Sequence, residues 1–202
     1  SEELFKGCSE LKYLQIPRNV KKIEDGAFMG CKNLSGIDLP KSVMSIGDSA
    51  FEGCTKIQAF ALQEGAIKIK KRTFNGCSKL KRVSIPTTVR SIGKSAFDGC
   101  LLLEAIIIPE GMQSIKQNAF CDCKSISSIV LPSSTNFVDM SAFRGCEKLE
   151  SITFEGKVSL NKSDDLFEGC DNLTRVFVSQ GTKVDTTAFE SLPNCKVICY
   201  QT

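Results

Sequence analysis

The sequence predicts a repeat solenoid that is mostly β-structure, a class in which short units stack and bury their apolar faces against one another. Three observations support this prediction: a nearly constant spacing of phenylalanines, a period-two apolar pattern after each of them, and a proline that closes most of these patterns. Six successive phenylalanine intervals are 23 residues, and the last two are 24 and 22. The nine positions are Phe5, Phe28, Phe51, Phe74, Phe97, Phe120, Phe143, Phe167 and Phe189. We therefore predict about nine repeats of 23 residues.

The first element of each unit is predicted to be a short strand. Apolar residues lie six, nine and eleven positions after the phenylalanine, as in Leu34, Ile37 and Leu39. The last two alternate with period two, which is typical of a strand with one face in the core. Equal units place these strands side by side in a parallel sheet. The residues eight and ten positions after each phenylalanine then point outward, and in the last strand these are Val197 and Cys199.

The rest of each unit is predicted to return along the opposite wall as extended chain. Proline ends the strand because it lacks the N–H that the ladder needs, as at Pro40 and Pro86. Glycine two residues after the phenylalanine, as at Gly30, indicates a positive φ. Because single helical turns are the most that the Ala-Phe-x-Gly-Cys segments allow, we assign the chain to an α/β repeat solenoid that is mostly β.

Eight of the eleven cysteines sit three residues after a phenylalanine and therefore stack in one column. Stacked side chains on adjacent rungs point the same way, whereas a disulfide needs converging Cβ atoms, so we expect buried, reduced thiols. Zinc sites use cysteines two to four residues apart, usually with histidine, and this chain has no histidine. We expect no metal and no cofactor. Cys121, beside Cys123, falls at a position that is charged or polar in most other units, and we expect it to be exposed.

The segments AFEGCTKI, LSGIDLP and SIGKSAF resemble the BspA-like leucine-rich repeats, also called the Treponema pallidum type. The resemblance covers the chain from Phe5 to about Ile198 and implies one domain over residues 1–202, with irregular repeats from about residue 155. It implies a right-handed, curved solenoid with a parallel sheet on its concave side. Members are mostly surface or secreted proteins of bacteria and some protozoan parasites, often linked to adhesion. The resemblance therefore implies a cell-surface or secreted location, although the repeat residues themselves are structural.

Composition narrows the classes of partner. The net charge of +3 is too small to indicate nucleic acid, which normally requires a clustered basic face. No apolar run is long enough to cross a bilayer, and SEELFKGC is unlike a leader, so we expect any localisation signal to lie outside this sequence. The absence of tryptophan and the presence of two tyrosines make glycan a weaker expectation than protein, because sugar rings stack on aromatic side chains.

The outward positions of the strands are where we expect specificity, because they are free to vary without disturbing the core. Ile107 and Val130 form an apolar strip beside short side chains such as Ala59, Ala61 and Ala105. The alternative is that β-branched residues simply suit a strand surface. The candidate partner-binding residues are Tyr13, Asp38, Arg82, Ala105, Ile107, Val130, Arg175 and Phe177.

These observations favour a non-enzymatic binding module that contacts protein through the concave face. A structural spacer or stalk that presents another domain is the first alternative, and a glycan-binding surface protein is the second. An enzyme is disfavoured because the chain has no histidine to act as a base near neutral pH, and its column thiols lie among apolar side chains. We assign no catalytic residue.

Overall fold

The computed structural model describes residues 2–160, 165–180, 189, 192 and 194–200. Sixteen strands and no α-helix lie in these ranges, arranged as a parallel β-solenoid of about eight turns. The predicted class is confirmed, and the predicted number of repeats roughly matches. One strand per turn lies on the first wall; all but the two-residue β9 have three to five residues, and we call this set the longer strands: β1 (Tyr13–Gln15), β3 (Gly36–Asp38), β5 (Ala59–Ala61), β7 (Arg82–Ser84), β9 (Ala105–Ile106), β11 (Ser128–Leu131), β13 (Ser151–Phe154), β15 (Arg175–Ser179) and β16 (Lys196–Tyr200). The two-residue strands between them are β2 (Lys22–Ile23), β4 (Ser45–Ile46), β6 (Lys68–Ile69), β8 (Ser91–Ile92), β10 (Ser114–Ile115), β12 (Phe137–Val138) and β14 (Ser159–Leu160).

The strands pair in parallel with the register that the 23-residue period predicts. Arg82 lies opposite Ala105, and Ser91 lies opposite Ser114. Side chains therefore repeat on the same face at every turn, so apolar positions form continuous columns inside the solenoid. The predicted inward triplets follow this rule, since Leu34 and Leu80 are fully buried in the middle of the core.

The phenylalanines form a stack along the axis of the solenoid. In the seven consecutive pairs from Phe5 to Phe167, ring centroids are 5.3 to 5.8 Å apart and ring planes differ by 2 to 9°. Backbone hydrogen bonds connect the same turns, as in Phe28 N–H to the Ala50 carbonyl at 2.8 Å. Each phenylalanine is thus held between equivalent rings by ring stacking and by a backbone ladder.

The predicted positive φ at the glycine after each phenylalanine is confirmed, for example at Gly99 with φ 72°. Asp122 occupies this position in the sixth unit and adopts φ 53°, a left-handed conformation that is unfavourable for most non-glycine residues. A second left-handed position, two residues before the phenylalanine, was not predicted. It is occupied by residues such as Ser49 and Ser95, with φ of 53° and 52°.

All eleven cysteines are free, so the prediction of unbonded thiols is confirmed. Each buried column thiol also donates a hydrogen bond to a phenylalanine carbonyl of the preceding turn, a contact that the sequence analysis missed. The bonds join Cys31 to Phe5 (2.9 Å), Cys54 to Phe28 (3.1 Å), Cys77 to Phe51 (3.2 Å), Cys100 to Phe74 (3.2 Å), Cys123 to Phe97 (3.1 Å), Cys146 to Phe120 (3.2 Å) and Cys170 to Phe143 (3.0 Å).

Two cysteine predictions are wrong. Cys121 is buried rather than exposed, because the turn segments stack closely enough to cover its side chain between Asp98 and Asp122. Cys8 is exposed although it belongs to the column, because it lies in the first turn, where the solenoid has no described turn on its other side. Cys199 is exposed, as expected.

The longer strands do not form one continuous sheet. Hydrogen-bonded groups are β1–β3, then β5–β7–β9, then β11–β13–β15–β16, so the ladder is interrupted twice. The two-residue strands are interrupted once, between β4 and β6. The turn ladder continues across both gaps in the longer strands, as in Phe28 N–H to the Ala50 carbonyl at 2.8 Å and Phe97 N–H to the Ala119 carbonyl at 2.9 Å.

The register of the last strand differs from the prediction by one residue. β16 places Lys196 opposite Arg175 and Ile198 opposite Phe177, whereas the sequence analysis placed Val197 and Cys199 in these columns. Lys196 lies seven residues after Phe189, whereas the equivalent Arg175 lies eight residues after Phe167, so the last unit has one residue fewer between its phenylalanine and its strand.

Candidate functional site

The candidate site is the outward face of the longer strands, which we call the strand face. Its positions are the residues eight and ten after each phenylalanine, and the pleat points them away from the core while their neighbours point inward. In β5 and β7, the outward residues are exposed, and the central Phe60 and Val83 are buried. The strand face is therefore set by the fold but contributes little to it.

Tyr13 and Asp38 form a hydrogen-bonded pair at the first two turns. The register places Tyr13 opposite Gly36, so its ring crosses this glycine and its hydroxyl donates to the Asp38 carboxylate on the neighbouring strand. A Cβ at Gly36 would lie 3.1 Å from Tyr13 Cδ2, which explains why a glycine accommodates the ring. The hydrogen bond to Asp38 raises the pKa of Tyr13.

Arg82 and Ala105 lie opposite each other on β7 and β9, with Ala59 on the other side of Arg82. All three are exposed. In the part of the chain that the structure describes, the Arg82 guanidinium forms no ion pair. The short alanine side chains on both flanks leave this cation open to a partner.

Ile107 and Val130 lie together at the gap between β9 and β11. The side chain of Ile107 is 83% exposed and that of Val130 is 46% exposed. Both line a cavity of about 440 Å³ that also contacts Ala105 and Pro132. The repeat spacing predicts their proximity but not the cavity, because the interruption of the backbone ladder has no signature in the residue pattern.

Beyond the gap, the apolar row continues across the last strands. Val130 lies opposite Thr153, Thr153 opposite Phe177, and Phe177 opposite Ile198. Ile198, which is 37% exposed, replaces the predicted Cys199 at the end of this row. Arg175 is partly neutralised, because its Nη2 lies 3.3 Å from Glu150 Oε2.

The eight predicted residues do not form a single pocket. The interruptions divide them into three groups: Tyr13 and Asp38, then Arg82, Ala105 and Ile107, then Val130, Arg175 and Phe177. Three carboxylates at the cavity were not among the predicted site residues: Glu104, Glu110 and Glu155. Glu104 and Glu110 are recognisable from the sequence because they flank β9, whereas Glu155 stands where most units have the proline that ends the strand.

The chemistry of the described residues gives no activated nucleophile. Burial raises the pKa of the Cys54 thiol to about 12, and it raises the pKa values of Cys77 and Cys123 well above their usual range. A thiol in this state is protonated near neutral pH and is a poor nucleophile or metal ligand.

One cluster of potential metal ligands lies on the turn side, where atoms of Asp98, Cys121 and Asp122 are within 4.8 Å of one another. Burial raises the pKa of Cys121 to about 12 and also raises the pKa of Asp98. The thiol of Cys121 is therefore protonated near neutral pH and does not bind cations in that form, so we do not assign a metal site to this cluster.

A second apolar cavity, of about 460 Å³, lies at the first turn and is lined by residues such as Phe5, Leu14 and Ile16. These side chains belong to the inward columns, and the cavity is the uncovered end of the core. None of the described segments is a helix with the length and apolar character needed to cross a membrane.

A family model described as BspA type leucine-rich repeat region (6 copies) matches residues 1–125 and 90–201. No curated protein matches the chain.

Solved structures share the fold. A leucine-rich repeat protein from Bacteroides ovatus is similar over 100% of this chain and 63% of its own length, with 24% identity and a TM-score of 0.68. The T. pallidum leucine-rich repeat protein is similar over 85% of this chain and 69% of its own, with 25% identity and a TM-score of 0.54. A leucine-rich repeat protein from Eubacterium ventriosum is similar over 99% of this chain and 69% of its own, with 19% identity and a TM-score of 0.52. This chain therefore spans less than two thirds of the length of the Bacteroides ovatus protein.

Proposed function

The chain belongs to the BspA-type leucine-rich repeat family, and we propose that it is a non-enzymatic binding module that contacts another protein through the strand face. The single observation that carries this proposal is the exposure of Ile107 and Val130 at a shared cavity. A side chain that is 83% exposed contributes little to folding, because burial of apolar surface is the source of its stabilising effect. Its apolar character at this position therefore favours contact with a partner.

The surroundings of the pair resemble the layout of a protein interface. An apolar centre at Ile107 and Val130 is bordered by carboxylates and, one strand away, by Arg82. Protein interfaces generally place apolar side chains in the middle and polar groups at the rim. Tyr13 and Asp38 lie further along the face and add polar groups to a longer contact.

We propose a cell-surface or secreted location for the protein, with adhesion as the role of the contact. The support is the family, whose members the sequence resemblance connects with surfaces and adhesion. A spacer that only presents another domain is the alternative, and it requires that no ligand depend on the strand face.

A display experiment separates these functions. Random heptapeptides on phage are selected on the immobilised protein and then tested against the double variant Ile107→Asp/Val130→Asp. The matched control is Met44→Asp/Ile67→Asp, which removes two similarly exposed apolar side chains from adjacent turns on the wall of two-residue strands.

Binding that is lost in the first variant and retained in the control supports the proposal. Two unpaired charges would be placed at the contact, which is costly when the contact is desolvated. Binding that is lost in the control instead would place the site on the opposite wall. Failure to select any ligand that depends on Ile107 and Val130 would favour the spacer.

A further inference from the structure

We infer that the gap between β9 and β11, which we call the seam, recognises an extended basic segment of a partner protein that carries an apolar side chain. This inference rests on the proposed function and names the chemistry of the partner. Three features of the seam support it: unpaired backbone groups, an open apolar cavity and charged side chains that are all negative.

The seam lacks the backbone hydrogen bond that joins the equivalent positions of β1 and β3 and of β5 and β7. Ile16 N–H donates to the Asp38 carbonyl at 3.1 Å, and Leu62 N–H donates to the Ser84 carbonyl at 3.1 Å. The equivalent bond at the seam would join Ile108 N–H to the Val130 carbonyl. Among the described residues this bond is not formed, and no ladder joins β9 to β11.

Unpaired backbone groups at strand edges favour an extended ligand that lies over the seam, because the ligand backbone supplies donors and acceptors. At the seam, these edges lie beside the side chains that need apolar contact. Ile107 and Val130 leave a cavity of about 440 Å³ between them. A volume of this size accommodates an aliphatic or aromatic side chain together with some of its backbone.

The charge of the seam selects among extended segments. Glu104, Glu110 and Glu155 line the cavity, and no lysine or arginine does so. In the described part of the chain, none of these three carboxylates forms an ion pair. On the neighbouring turn, the strand face carries one basic residue, Arg82, which lies opposite Ala105. A ligand with lysine or arginine beside its apolar side chain therefore complements the seam, and an acidic ligand is repelled.

The test uses the heptapeptides selected on the wild-type protein, which are sequenced and measured against the triple variant Glu104→Gln/Glu110→Gln/Glu155→Gln. The matched control is Glu64→Gln, an exposed glutamate in the third unit at the position that Glu110 occupies in the fifth. We expect ligands that depend on Ile107 and Val130 to carry lysine or arginine next to an apolar residue. Their affinity should fall about tenfold or more in the triple variant, because three rim charges are removed, and should be unchanged in Glu64→Gln. Raising the salt concentration to about 0.5 M should also weaken binding to the wild type, because salt screens the attraction between the carboxylates and a basic ligand.

The outcomes separate this inference from the proposed function. Ligands that require Ile107 and Val130 but are acidic or uncharged, with affinity unchanged in the triple variant, would overturn the inference and leave the proposed function intact. If no selected ligand depends on Ile107 and Val130, the inference about the seam and the proposed function both fail. Equal loss in Glu64→Gln and in the triple variant would show a non-local charge effect and would also overturn the inference.

Discussion

The thiol of Cys100 donates a hydrogen bond to the backbone carbonyl of Phe74, one turn earlier, with 3.2 Å between Sγ and O. Equivalent bonds recur at every buried cysteine of the column, so the residue does more than fill space beside the phenylalanine stack. The thiol connects one turn to the phenylalanine of the turn before it. This relationship explains why cysteine, rather than alanine or valine, suits a position that is fully buried.

Replacing Cys100 with alanine should destabilise the protein by about 1 to 2 kcal/mol, because it removes a buried sulfur and its hydrogen bond. The matched control is Cys8→Ala, at the exposed first position of the same column, which should change the free energy of unfolding by less than about 0.5 kcal/mol. Urea denaturation of the two variants measures both values. Equal losses of stability in the two variants would show that neither the burial of the Cys100 thiol nor its hydrogen bond stabilises the fold.

The buried thiols also predict a loss of stability at high pH. Burial raises the pKa of Cys54 to about 12 and raises the pKa of Cys100 further, whereas an unfolded thiol ionises near pH 8.5. Above about pH 8.5 the unfolded chain releases these protons and the folded chain keeps them, so the free energy of unfolding falls as pH rises towards the folded pKa values.

For each such thiol, the free energy of unfolding should fall by up to about 1.4 kcal/mol per pH unit. Urea denaturation with a reductant at about pH 7.5 and about pH 9.5 measures it, and Cys100→Ala should make the slope shallower by up to one thiol's contribution. Equal stability at the two pH values in the wild type would contradict the burial of the column.

Replacing Phe97 with alanine should cost about 3 to 5 kcal/mol, because its buried ring stacks at 5.4 Å on both Phe74 and Phe120. Ser84→Ala, on the exposed strand face, should cost little. Chemical denaturation of both variants provides the comparison. If the two losses were similar, the assignment of inward and outward positions would be incorrect.

Replacing Asp122 with glycine should stabilise the protein by about 0.5 to 1 kcal/mol, because seven other units place glycine at this left-handed position. Asp122→Ala is the control for charge, since alanine removes the carboxylate but keeps a Cβ at positive φ. The thermal midpoint should rise for glycine and not for alanine. A rise for both would assign the effect to the lost charge beside Asp98.

The columns were predictable because a fixed period places equal residues at equal positions. Phe97 and Cys100 were assigned to the core from spacing alone, and both are fully buried. The burial of Cys121 was not predictable in this way, because it depends on how the side chains of Asp98 and Asp122 pack over the turn. The pattern describes one unit, whereas this contact depends on the neighbours of one particular turn.

The candidate site was predictable only in part, because it too depends on contacts between particular turns. The exposure of Ile107 and Val130 follows from the strand alternation. The seam depends on backbone pairing between β9 and β11, which the residue pattern of the fifth and sixth units does not distinguish from that of their neighbours. The one-residue shift that brings Ile198 opposite Phe177 depends on where the shortened last unit loses its residue.

The most direct test of the strand face as the binding surface is amide hydrogen exchange, measured by mass spectrometry on the protein alone and saturated with a ligand selected on the wild type. The predicted result is slower exchange in residues 104–110 and 127–132, which line the seam, with no change in residues 67–71 and 90–94 on the opposite wall. Slower exchange confined to the opposite wall, or none at the seam in a saturated complex, would contradict the account.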